Sequence, residues 1–124
     1  MPLLNEGKSP EELRFQRDWI ELRRIVKSRF GKRPDINALL FLIGMNEVGF
    51  VRDEWTKEEK QDLMHVAICK LFEEDGYFKF LGRDEEGWPH YDAMVSIPKG
   101  KLLQQERQLK ERIIDYCREM KLIE

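Results

Sequence analysis

His65 and Cys69 stand four residues apart, so a helix through them presents an imidazole and a thiol on one face. His90 supplies a third donor further along the chain. Zinc accepts such a set when a fourth ligand comes from Cys117 or a carboxylate. The spacing lacks a paired CxxC or HxxxH, so the default reading is structural: His65 at the rim of a core, Cys69 as a small buried hydrophobe. No metal and no cofactor are therefore expected. A Cys–His nucleophile needs a base aimed at sulfur and a third group to orient it. Two side chains one turn apart on one helix hold poor geometry for that, and no orienting group is identifiable. The acidic pairs Glu73-Glu74 and Glu85-Glu86 fall where a helix ends or a turn is made, where carboxylates usually solvate. There is no GxGxxG, GxxxxGK[ST], GxSxG or HExxH. No catalytic residue is assigned, and a non-enzyme is expected.

The run Trp88-Pro89-His90-Tyr91 offers different chemistry. Its rings either pair across a hairpin and cover a helix, or stay partly exposed as a partner site. His90 beside exposed rings would make such binding respond to pH.

These residues need elements to position them. Ser9-Pro10-Glu11-Glu12 carries helix-start grammar, and Phe15, Trp19, Leu22, Val26 and Phe30 follow at three- and four-residue spacing before Gly31. Helix one is placed at about 10–30. A second helix follows Pro34-Asp35 and runs to about Glu47. It is apolar nearly all round, as a buried helix is. Gly44 inside it disfavours the helix by about 1 kcal/mol, and close approach of a neighbouring element is its best explanation. Thr56-Lys57-Glu58-Glu59 starts helix three, with Gly76 as its stop. Tyr77–Leu81, the loop GRDEEG and Trp88 to about Val95 then read as a β-hairpin. Pro89 cannot donate to a ladder, so the second strand is an edge or starts late. A last helix is placed at about Lys101 to Met120, striped by Leu102, Leu109, Ile113, Tyr116 or Cys117, and Met120.

The expected fold is thus mainly α, in the α+β class, with four helices and a β-hairpin between helices three and four. One domain over residues 1–124 is expected, with 1–8 as a flexible N-terminal arm. At 124 residues the chain suits a single modest core. Charged residues make up 37% against 41% hydrophobic, which fits helices with solvated, ion-paired faces. Two cysteines, no apolar leader and no long apolar run make a reducing, cytoplasmic setting the default, with no membrane partner.

Charge is segregated along the chain. Between Leu13 and Pro34 eight bases oppose two acids, whereas between Asp53 and Glu86 eleven acids oppose five bases. The net charge of only −2 hides this asymmetry. The two segments either neutralise one another, within the chain or across a homodimer, or one of them docks a charged partner. The residues expected to carry partner binding are Arg23, Arg24, Lys27 and Arg29 on helix one, and Trp88, His90 and Tyr91 on the hairpin.

The run VAICKLFEEDGYFKFLGRDEEGWPHY resembles the end of a recognition helix followed by a wing. Three helices and a hairpin are similar to winged-helix topology, and the trailing helix resembles a dimerisation helix. This resemblance implies a nucleic-acid-binding regulator. Helix three, however, carries Glu58, Glu59, Asp62, Glu73 and Glu74, which repel phosphates. Any such binding falls to the basic face of helix one. The segments IGMNEVGF, TKEEKQDLMHVAICKLF, GWPHYD and LLQQERQLKERIIDY also resemble a family of small bacterial proteins with no assigned function. That resemblance implies a self-contained domain and transfers no catalytic residue. Together these observations lead us to expect a small interaction or adaptor protein. A protein partner is expected first, a homodimer through the C-terminal helix next, and nucleic acid as the alternative partner.

Overall fold

A computed structural model describes residues 9–50, 52–94 and 102–121, with the side chains of 102–105 left aside. Residues 1–8, Val95 and Lys101, on which some expectations fell, lie outside the described residues. The elements run α1 (Pro10–Phe30), α2 (Ile36–Val48), α3 (Lys57–Leu71), β1 (Phe78–Arg83), β2 (Pro89–Ala93) and α4 (Leu102–Glu119). This is the expected order of three helices, a hairpin and a fourth helix. The chain divides into two compact units, one holding α1 and the end of α4 from Ile114, the other running from Asp35 to Ile113.

Local chemistry sets the helix starts. Ser9 accepts a hydrogen bond from the Glu12 amide at 3.1 Å, with Pro10 at the first helical position of α1. Asp35 caps α2 through the Ala38 amide at 2.8 Å. Thr56 and Glu59 close a reciprocal capping box at α3, at 3.0 and 2.9 Å. Helix α3 ends earlier than its sequence suggests, at Leu71 rather than near Gly76. The next residues include Glu73, Glu74 and Asp75, and negative charge opposes the dipole at a helix C-terminus. The chain turns there, and Tyr77 donates its amide to the Phe72 carbonyl at 3.3 Å.

In the unit from Asp35 to Ile113, α2 is the core element. Leu39, Leu40, Ile43, Gly44 and Val48 are buried on it, and α3 contributes Leu63, Val66, Ala67, Cys69 and Leu71. Gly44 lies directly on the backbone of α3 at Leu63, where an added Cβ would meet the carbonyl oxygen at 2.1 Å. The close approach anticipated for this glycine is therefore present. Asp75, in the turn after α3, takes a bidentate pair from Arg112 of α4 at 2.8 and 3.0 Å. On α4, Ile113, Ile114, Tyr116 and Cys117 are buried, whereas Met120, the last residue of the expected stripe, is 40% exposed.

The hairpin is antiparallel, pairing Phe78 with Ala93, Phe80 with Tyr91 and Arg83 with Pro89. A register shift at Leu81 carries β1 on through Gly82 and Arg83, two residues sequence reasoning assigned to the loop. The turn is correspondingly tighter. Asp84 accepts from the Gly87 amide at 3.0 Å, and Gly87 adopts φ 93°, a left-handed conformation glycine takes without strain. Pro89 opens β2, the late start its missing N–H requires.

Candidate functional site

The site grows from the hairpin turn. Arg83 reaches from β1 to the C-terminal end of α2, donating to the carbonyls of Glu47 at 2.7 Å and Val48 at 3.0 Å. The same guanidinium donates to the Gly87 carbonyl at 2.8 Å. It neutralises the partial negative charge of a helix end while fixing the turn over it. Trp88 then meets the loop between α2 and α3. Its ring lies edge-on to Phe50 at 5.8 Å and to Trp55 at 6.1 Å, and those two rings stack at 6.0 Å. Arg52 caps the cluster over Phe50 and Trp55, at 5.2 and 5.0 Å from the ring centres, and pairs with the Glu59 carboxylate.

Trp88 thereby forms one wall of an open groove of about 260 Å³ between the hairpin and α3. The hairpin side is lined by Asp84, Trp88, Pro89, His90 and Tyr91, and the α3 side by Asp62, His65 and Val66. The two imidazoles thus share a groove although they are twenty-five positions apart. The expectation that the aromatic rings cover a helix holds in part. Phe78 packs edge-on to His65 of α3 at 6.4 Å, whereas Trp88 packs on the 50–55 loop. Phe80, edge-on to Tyr91 at 5.5 Å, is 43% exposed.

The polar groups differ in how far they are committed. Asp84 Oδ1 accepts the amides of Glu86 and Trp88 at 2.9 and 3.0 Å, and Oδ2 lies 2.8 Å from His90 Nε2. The His90 bond, followed by the amide of Trp88, holds this carboxyl below its ordinary range. His65 Nε2 lies 3.5 Å from the Cys69 sulfur. Asp62 is exposed and makes no hydrogen bond or ion pair with the described residues. Burial pushes the Tyr91 hydroxyl up to about 12, with the Glu47 and Glu73 carboxylates adding to it.

The thiols are poorly suited to attack. Cys69 is 1% exposed and desolvation raises its pKa from 9.0 to about 11, and Cys117 behaves alike. A raised thiol pKa favours the folded state below 9.0 and loses that contribution as the pH climbs towards 11. Native protein at pH 8 is expected to react slowly with iodoacetamide at both cysteines and to label fully once unfolded by urea; rapid labelling of native protein would contradict this burial. Among the described residues, no group of three His, Cys, Asp or Glu side chains is arranged to hold a metal ion.

The helix-one residues sit in the other compact unit. Arg23 is half-buried and donates its Nε to the Pro34 carbonyl at 2.8 Å, so it fixes the chain leaving α1. Arg24 pairs with Glu21, Nε to Oε2 being 3.1 Å. Lys27 and Arg29 are exposed. Asp62, Phe50, Arg52 and Trp55 were not singled out from sequence. The available signal was the composition of the short α2–α3 loop, where two large rings flank an arginine. No described helix is long and apolar enough to cross a membrane. Searches against family models, curated proteins and solved structures each find no match for this chain.

Proposed function

We propose that the chain is a non-catalytic interaction protein whose hairpin groove receives a cationic side chain from a protein partner. The supporting observation is the groove itself: the Asp62 carboxylate, without a partner among the described residues, lines the same space as the Trp88 and Tyr91 rings. A lysine or arginine there gains a carboxylate and an aromatic surface together, the latter worth about 0.5–1 kcal/mol at an exposed site. The space suits one side chain rather than a folded element. His65 and His90 line it too, beside the Asp62 and Asp84 carboxylates.

The test is an NMR titration with a short peptide of alternating lysine and leucine. The Trp88 indole and the His65 and His90 rings are expected to shift together, and raised salt or Asp62→Lys to weaken binding at least about tenfold. Shifts scattered over the surface, or none, would overturn the proposal. The alternative is a nucleic-acid-binding regulator acting through the basic face of α1, favoured by the exposure of Lys27 and Arg29. Retention on random duplex DNA that falls steeply with salt would favour that alternative.

A further inference from the structure

We infer that the partner this groove accepts is a second copy of the same chain, presenting the outer face of α1; this rests on the cation-binding reading above. Arg17, Ile20, Arg24 and Lys27 follow the spacing i, i+3, i+7, i+10, which aligns them in one stripe along a helix. The stripe is open to solvent in the single chain. Arg17 has its side chain 73% exposed, Arg24 61%, and Ile20 between them is 63% exposed. The groove's surroundings carry the opposite sign and are also open: Glu58 and Asp62 on α3, and Asp84, Glu85 and Glu86 in the turn. One molecule therefore displays both halves of a complementary pair with neither half covered. Lys27 is the stripe's cation for the groove against Trp88, Arg24 being held already by Glu21, and Ile20 supplies an apolar centre of the kind that anchors helix docking. A dimer in which each copy lends its stripe to the other's groove would make this contact twice, the reciprocal arrangement of an isologous pair.

The experiment is sedimentation velocity on the full chain from micromolar to sub-millimolar concentration. The mass is expected to rise from 14.9 kDa towards twice that value. The association is expected to weaken as ionic strength shortens the screening length from about 10 Å at 0.1 M to about 3 Å at 1 M. A stripe variant, Arg24→Glu with Lys27→Glu, and a groove variant, Glu58→Lys with Asp62→Lys, are each expected to associate at least about tenfold more weakly. Mixed in equal amounts they are expected to dimerise again, because each reversed surface then faces a surface of opposite sign. All these positions are exposed, and circular dichroism checks that the variants fold. A monomer at every concentration overturns the inference, as does a dimer indifferent to salt and to both variants. If the chain stays monomeric while the lysine peptide still shifts Trp88, self-association alone fails and the groove stands. If neither occurs, both readings fail.

Discussion

Gly44→Ala is expected to destabilise the protein by about 3 kcal/mol, within the range for forced overpacking of a tight core. Two effects of opposite sign compete at this position. Alanine favours a helix over glycine by about 1 kcal/mol, so propensity alone makes the variant more stable. Packing opposes it. The new methyl carbon would lie 2.1 Å from the Leu63 carbonyl oxygen and 2.6 Å from its carbonyl carbon. These atoms are helix backbone and cannot rotate aside as the end of a side chain can. Helices α2 and α3 would have to separate along their buried faces, exposing parts of Leu40, Ile43 and Leu63. Urea unfolding is the measurement: a midpoint well below wild type is expected, and an unchanged or raised midpoint would show that the two helices do not meet at Gly44. Gly44→Ser carries the same Cβ and should fall with it, whereas Gly31→Ala meets nothing within 4 Å and should lose only the roughly 1–2 kcal/mol that a left-handed φ of 87° costs a residue with a Cβ.

What could be read from sequence and what could not divide along the range of the interactions. The starts of α1, α2 and α3 are decided by groups three residues apart, so Ser9, Asp35 and Thr56 announce them. Gly44 was legible because a glycine in an apolar helix calls for a packing reason. The end of α3 was less so. Gly76 is a persuasive stop, but α3 already ends at Leu71, ahead of an acidic run that disfavours its continuation. The extension of β1 through Gly82 and Arg83 depends on a register shift at Leu81 that no local pattern announces. The groove lies further from the sequence still. Trp88, His90 and Tyr91 were recognisable as a patch, but Asp62 and His65 join them only when α3 packs beside the hairpin. Arg83 looked like one charge in an acidic loop, yet its three carbonyl partners include two more than thirty positions away.

Trp88→Ala is expected to lower stability by about 2–3 kcal/mol, somewhat below the 3–5 kcal/mol typical of a fully buried tryptophan because this ring is half-buried. The loss has two sources. One is apolar area returned to water. The other is two edge-to-face contacts, with Phe50 and Trp55, each worth about 0.5–1.5 kcal/mol beyond that area. Phe50 and Trp55 would still stack, but the turn would lose its aromatic hold on the α2–α3 loop and depend on Arg83 alone. Trp88→Phe keeps an aromatic edge at the same place and should recover roughly half of the loss. Stability and binding can therefore be separated: with Trp88→Phe the hairpin remains seated, while the cation facing it loses the larger indole surface. Urea midpoints and peptide titration on both variants provide the comparison. Unchanged stability in Trp88→Ala would mean that Trp88 is not packed between Phe50 and Trp55. Unchanged peptide affinity in a folded Trp88→Phe would mean that the indole is not the wall the cation meets.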